Sequence, residues 1–266
     1  MTTSLIIKSP SASTDTTLPK VLADSLLNSG SLFLMDFLRL GCWNPATDTV
    51  ADGAAVRNLV TGGASGMLKI PVAGDLTFET GLGFKLKDTA NFGRVQVGAG
   101  TDYFQTNLSN DYLIIAWATY PATDLLTTAT GFIVTKGNSN LYALAGPFLA
   151  KRYISGSMTG KLDSAGDNGT SFAGASPVGK HQFAVAKVGT TQTLYVDGVS
   201  VYSQTNADAD MIANANPLNF GNPASGGTAA GGLILHRIYG ENLTISGLTP
   251  AAVVAADYAA NSSRFV

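Results

Sequence analysis

The chain has 266 residues, one cysteine and a net charge of −2, from 16 Lys and Arg against 18 Asp and Glu. A single cysteine excludes an intramolecular disulfide framework, and the near-neutral, slightly acidic balance argues against a nucleic-acid surface, which needs a basic stripe. Charged residues make up 13% of the chain, about half of the roughly 25% usual for soluble domains; Gly, Ala, Thr, Ser and Asn stand in their place.

Residues 1–19 read as a polar arm: a short Leu5–Ile7 patch, then a Ser/Thr-rich run through Pro10 and Asp15. Such a segment buries too little apolar area to order itself, so a neighbouring molecule is expected to order it. No basic start leads into an apolar run there, so no secretory signal is expected. The most apolar early stretch, Leu32–Trp43, contains Asp36 and Arg39, and nothing approaches the roughly 18 apolar residues of a spanning helix. Residues 20–65 read as a lead-in. Pro19 followed by Lys20–Leu27 predicts a short helix ending at Gly30. Ser31–Phe37, a continuous apolar run, predicts a buried strand.

From residue 66 to 266 the pattern is that of one sandwich. Strands are predicted at Met67–Val72, Leu76–Leu86, Arg94–Val97, Tyr112–Thr119, Phe132–Lys136, Leu141–Leu144, Lys151–Ile154, Gln182–Val188, Thr193–Val196, Val199–Tyr202, Leu218–Phe220 and Leu233–Tyr239. Short strands at this spacing, punctuated by glycines, indicate a sandwich or barrel. Asp197-Gly198 joins two β runs, and both residues tolerate the positive φ that a two-residue hairpin loop needs. The expected register sets Val196 against Val199 and Leu194 against Val201, making one aliphatic core face. Tyr195 with Ser200 and Thr193 with Tyr202 then form a half-wet face. Residues 249–260 predict a helix, with Thr249 as cap, Pro250 in the first turn, and Val254 and Tyr258 on one face. No repeat of about 20–50 residues is visible, which argues against a solenoid or propeller.

Four segments carry a resemblance. They are Leu113–Trp117; Ile133–Gly137 with Leu141–Leu144; Lys180–Ala186 with Leu194–Gly198; and Gly232–Tyr239 followed by the final helix. In order and spacing they resemble the concanavalin A-like superfamily, and within it the laminin-G-like modules, over residues 110–262; residues 31–109 fit as the first strands. The resemblance implies an all-β fold: an antiparallel jelly-roll β-sandwich with an N-terminal extended arm and a short C-terminal helix. That fold hosts lectins, glycosidases, lyases, adhesion modules and structural parts, so it names no single activity.

Glycosidase chemistry needs two carboxylates flanking the scissile bond. The two Glu, Glu79 and Glu241, lie in different segments. Asp163 and Asp167, and Asp208 with Asp210, sit in small-residue loops that suit turns better than a rigid catalytic strand. His236 shares strand parity with Ile234 and Ile238, and His181 with Phe183 and Val185, so both are expected at the core or its edge with structural partners. No Gly-x-Ser-x-Gly nucleophile turn occurs. Cys42, beside Trp43, reads as a small buried hydrophobe. Gly62-Gly63 and Gly226-Gly227 lack the residues of a phosphate loop. Calcium takes six to eight oxygens, and Asp163, Asp167 and Asn168, or Asp208 and Asp210, are the candidates to supply some of them. Trp117 and Trp43 belong to apolar runs. Tyr103, Phe104, Tyr120, Phe148 and Tyr153, at strand ends or in loops, are the candidates to stack on a sugar.

These features predict a chain that is not an enzyme: a structural or attachment protein in the style of tailed-bacteriophage virion proteins, for head decoration or in the tail. Its arm would dock on other virion proteins or on copies of itself, and the protein would be assembled in the host cytoplasm. Cell-surface glycan is the second expected partner; nucleic acid and membrane insertion are not expected, and no cofactor is expected beyond calcium. The alternatives are a glycan-binding, calcium-dependent lectin module and a polysaccharide hydrolase or lyase.

Overall fold

The computed structural model describes residues 24–87, 93–97, 104, 110–120, 130–135, 148–154, 157–162, 171–172, 179–205, 217–222 and 232–265; at 120, 130–132, 148–154, 157–162, 171–172 and 204 only the backbone is described. In chain order the strands are β1 (Ser31–Asp36), β2 (Ala55–Val56), β3 (Gly66–Lys69), β4 (Leu76–Glu79), β5 (Gly83–Leu86), β6 (Arg94–Gln96), β7 (Tyr112–Tyr120) and β8 (Thr130–Thr135). They continue with β9 (Phe148–Ile154), β10 (Ser157–Leu162), β11 (Ser171–Phe172), β12 (Gly179–Val188), β13 (Thr191–Val196), β14 (Val199–Thr205), β15 (Asn219–Gly221) and β16 (Ile234–Asn242). Two helices follow, α1 (Leu243–Ser246) and α2 (Pro250–Asn261).

The strands form two antiparallel sheets. The first runs β14-β13-β12-β7-β16-β5-β4, and the second β11-β10-β9-β8-β15-β6-β3-β2. Strand β16 organises the first sheet. One of its edges pairs with β7 from Ile234 to Asn242. The other is shared: β5 takes Ile234 and Leu235, and β1 takes Arg237 to Glu241. Residues 31–36 and 55–56, ahead of the predicted sandwich, thus belong to its two sheets.

Between the sheets lies a core that includes Phe33, Phe37, Trp43, Phe84, Phe104, Ile114, Phe183 and Leu235. Phe37 and Trp43 each meet Phe84 edge-on, with ring centroids 4.9 Å apart. The opposite face of the first sheet is covered as well. Leu113, Ile115, Trp117, Ala184, Tyr195 and Tyr239 pack there with Leu26, Leu243, Val253, Val254 and Phe265. A sheet buried on both faces carries near-continuous apolar runs in place of alternation, which is why Leu113–Ala118 and Phe183–Ala186 are apolar at every position.

Most predicted strands coincide with observed ones; Leu141–Leu144 lies outside the described residues. The predicted Leu76–Leu86 strand is two, β4 and β5, joined by a turn at Gly81 (φ 80°) in which the Leu82 N–H donates to the Glu79 carbonyl. The helix predicted up to Gly30 is not present over residues 24–30, which form turns. There the Asp24 carboxylate accepts from the Leu26 N–H and the Asn28 side chain accepts from the Gly30 N–H, local bonds that compete with helix. Helix α2 matches the C-terminal expectation, except that Thr249 caps through its carbonyl and not its side chain. Helix α1 was not predicted; Asn242 caps it by accepting from the Ile245 N–H, and Gly247 closes it at φ 68°.

The 197–198 hairpin forms as expected, with Asp197 at φ 51° and Gly198 at φ 83°. Its register differs. Val196 opposes Val199 and Tyr195 opposes Ser200, but Leu194 opposes Tyr202. Val201 is the extra residue of a β-bulge, which shifts everything beyond it by one position. Val201 is therefore 44% exposed, while Tyr202 packs on the core; Val199, in the expected register beside the turn, is 65% exposed as well. Nor is Tyr195 half-wet: it is buried in the layer beneath α2.

Gly83 holds the β5–β16 junction at φ 129°, and a Cβ there would collide with the Leu235 carbonyl and lie 3.3 Å from the His236 Cα. Gly83→Ala is expected to destabilise by about 3 kcal/mol from overpacking and strain together. Gly74→Ala, also at positive φ but with nothing near its Cβ, should show the smaller strain effect alone. Equal losses in urea unfolding of the two variants would remove the junction from the explanation.

Candidate functional site

Two charged constellations stand out, both on the first sheet. The larger is centred on Arg237. A bulge at His236 places Leu235 opposite Ala118 and Arg237 opposite Trp117. This rotates His236 and Arg237 away from the inter-sheet core, while Leu235 and Ile238 both stay in it. Arg237 grips Asp24 with both terminal nitrogens, each at 2.8 Å. It also pairs with Asp36 at 3.3 Å and Asp257 at 3.4 Å. Arg39 reaches Asp24 at 2.9 Å and Asp36 at 3.3 Å, and Arg264 reaches Asp36 at 2.7 Å. Three carboxylates and three guanidiniums thus tie together the lead-in, β1, β16, α2 and the segment after α2.

Asp257 is fully buried. One oxygen accepts from Trp117 Nε1 and Gln182 Nε2, each at 2.7 Å; the other accepts from Asn261 Nδ2 at 2.8 Å. Burial nevertheless pushes its carboxyl above the ordinary range, outweighing the Arg237 charge and these donors. Burial also works to raise Asp24, but there the hydrogen bonds and charge of Arg237 win and hold it below the ordinary range. The sequence offered a signal for this network that its reading missed: Asp36, Arg237 and Asp257 each interrupt an apolar run, and buried charges are almost always paired.

The second constellation is at the rim. His181 Nδ1 donates to Asp197 Oδ2 at 2.5 Å, and Asp197 Oδ1 accepts from the Gln182 N–H at 3.0 Å. Both side chains are partly exposed, at 22% and 30%. The hairpin turn therefore positions a carboxylate that fixes the imidazole's orientation, the geometry by which a His is prepared for proton transfer or ligation.

Other candidates resolve as structural. His236 is buried; its Nδ1–H donates to the Leu82 carbonyl and its Nε2 accepts from Thr119 Oγ1 at 2.6 Å. Burial lowers its pKa, which keeps the ring neutral. Its expected alignment with Ile238 fails because of the bulge. Glu79 pairs with Lys85 at 3.3 Å. Glu241 is buried, accepting from Tyr239 Oη at 2.8 Å and Asn28 Nδ2 at 3.2 Å. Cys42 is buried and its thiol is pushed up to about 12, chiefly by burial, which suppresses the reactive thiolate. Trp43, Trp117 and Phe104 are buried. Asp163, Asp167, Asn168, Asp208 and Asp210, the candidate calcium ligands, lie outside the described residues, as do the side chains of Tyr103, Tyr120, Phe148 and Tyr153. Among the described residues no cluster of three metal-ligating side chains occurs, and no helix is long and apolar enough to cross a membrane.

No protein-family model matches the chain, and no curated protein matches it. Solved structures do. Trypanosoma rangeli sialidase is similar over 90% of this chain and 34% of its own, at 10% identity and a TM-score of 0.60. The same enzyme in complex with sialic acid is similar over 92% and 36%, again at 10% identity and 0.60. The ligand binding domain of botulinum neurotoxin serotype D, in complex with N-acetylneuraminic acid, is similar over 88% and 52%, at 13% identity and 0.57. The chain thus spans about a third of the sialidase and about half of the toxin chain. At these identities the likeness shows the fold, a β-sandwich.

The expectation that the chain is not an enzyme is overturned by the sialidase match, since this β-sandwich recurs within an enzyme. The expectation rested on counting Glu and His. Function resides in sites grafted on a fold, and two Glu still leave 18 − 2 = 16 Asp.

Proposed function

We propose that this chain is a carbohydrate-binding β-sandwich whose ligands are acidic sugars of the sialic acid class. The observation that supports this most is the fold shared over about nine tenths of the chain with two proteins whose structures hold sialic acid or N-acetylneuraminic acid. A surface in which Ser, Thr, Asn and Gly replace charge offers neutral donors and acceptors suited to sugar hydroxyls. The concanavalin A-like, laminin-G-like jelly roll is the finer fold assignment, supported by Leu113–Trp117, Lys180–Ala186 and Leu194–Gly198 standing together in the first sheet. The setting is a larger particle, a virion, on which residues 1–19 dock the sandwich. Calcium, taken by Asp163, Asp167 and Asn168 or by Asp208 and Asp210, belongs to the same reading, since carboxylate and amide oxygens are the ligands it takes.

Titration with sialyllactose and with lactose tests the ligand. Saturable binding of sialyllactose, with a matching rise in melting temperature by linkage, is expected, and chelation of calcium should weaken it. A protein that binds neither sugar, with or without calcium, ends the proposal. For the setting, deleting residues 1–19 should abolish incorporation into particles while leaving thermal unfolding unchanged; normal incorporation refutes the docking role.

A further inference from the structure

A buried polar atom without a partner is rare in a native structure, and each one calls for a cause. Asn219, the first residue of β15, is fully buried. Its Nδ2 donates to the Pro217 carbonyl at 3.2 Å. No described residue donates to its Oδ1, although Thr135 of β8 stands opposite.

The register places this side chain on the outer face of the second sheet. Leu68, Val95 and Phe220 face the core between the sheets. By alternation Met67 and Lys69 of β3, Arg94 and Gln96 of β6, and Asn219 face the other way. They form two cross-strand rows: Met67, Gln96 and Asn219 in one, Lys69 and Arg94 in the other. The rows are two residues apart, about 7 Å along the strands, a span that one sugar ring with its substituents covers. Met67, Lys69 and Gln96 are half-buried, whereas Arg94 is buried. Access to Asn219 therefore runs over Gln96. The Asp52 carboxylate, which accepts from the Ile70 N–H, acts on Arg94 through its charge, so two cations here face one carboxylate.

We propose that this outer face of β3, β6 and β15 is the acidic-sugar site: the sugar carboxylate sits on Lys69 beside Arg94, and a sugar hydroxyl donates to Asn219 Oδ1, with Gln96 between them. The orphaned atom is an acceptor, so a carboxylate or sulfate alone leaves it unsatisfied. The cations of the next row favour an acid over a neutral sugar. A sugar acid supplies both groups, and Met67 offers apolar contact to the C–H groups of the ring. The inference rests on the acidic-sugar reading above and adds the residues that carry it.

Titration with sialyllactose tests the site. Lys69→Ala is expected to weaken binding at least about tenfold and Gln96→Ala about threefold, the range for charged and neutral hydrogen bonds. Lys85→Ala, a half-buried lysine of the first sheet, should bind as the wild type. The methyl ester of sialyllactose, which lacks the charge, should bind about tenfold more weakly to the wild type, and the difference should shrink in Lys69→Ala. A reading that needs no variant comes from NMR of the wild-type chain: saturating sialyllactose should shift the amides of β3, β6 and β15 and leave those of β12–β14 in place. A wild-type chain that binds neither sialyllactose nor lactose removes the acidic-sugar reading, and the site with it. Binding that is undiminished in Lys69→Ala or for the ester, or shifts confined to other strands, overturns the site alone.

Discussion

Arg237→Met is expected to lower stability by about 3–5 kcal/mol, the usual consequence of removing one partner from a buried ionic cluster. The side chain is 1% exposed, and its loss leaves the two-point grip on Asp24 empty and strips a cation from Asp36 and Asp257. Methionine fills similar volume, so the loss is electrostatic more than steric. The pH dependence separates the two. In the wild type, Asp24 is held below the ordinary carboxylate value of 3.8 by the hydrogen bonds and charge of Arg237; its contribution is fully present above that value and is lost as pH falls through the lower folded value. In the variant the orphaned carboxylates prefer the proton, so the penalty is full at neutral pH and relieved as pH falls toward the ordinary carboxylate range. Urea unfolding near pH 7 and again in mild acid should therefore give a large difference and then a smaller one. A loss under about 1 kcal/mol, or a loss unchanged with pH, would falsify the hub assignment. Arg57→Met is the control. Its ion pair with Asp48, 2.6 Å long, lies at the surface, and exposed pairs contribute little.

Local chemistry explains what could be read beforehand. The Asp-Gly turn, the Pro250 helix start and the apolar strands of the doubly covered sheet each declare themselves within a few residues. Bulges do not, because one inserted residue has no compositional signature. The bulge at His236 moved Ile238 to the core face and Arg237 beneath the C-terminal segment; the one at Val201 exposed a valine assigned to the core. The ionic network was half legible. Asp36, Arg237 and Asp257 were visible as charges inside apolar runs, but Asp24 and Arg237 are 213 positions apart, and periodicity says nothing of such pairing. The inference against catalysis failed for a different reason: counting one residue type does not sample the sites that loops can assemble.

Asp257→Asn carries the second large effect, at about 3 kcal/mol, because it changes hydrogen-bond polarity with almost no change of shape. Its carboxylate receives N–H groups on both oxygens, from Trp117 and Gln182 on one and from Asn261 on the other. An amide has one acceptor oxygen and an NH2 group. In either orientation the NH2 group meets donors and leaves at least one of them unsatisfied. The affected joint is specific, since Asp257 fastens α2 to β7 and β12 while Val253 and Val254 fill the layer below. Trp117 reports on this joint: it stacks on Tyr258 with centroids 5.8 Å apart and packs on Phe265 at 5.3 Å. Trp43 lies in the other core, between the sheets. In a Trp43→Phe background, Asp257→Asn should shift Trp117 emission to the red at denaturant concentrations below global unfolding, and α2 amides should exchange faster than those of β7. Asp257→Leu, which fits the apolar layer but accepts nothing, should behave the same way, because the deficit lies in donors left without acceptors. If both variants keep native emission up to the global transition, apolar contacts alone hold the helix and the Asp257 clamp contributes nothing separable.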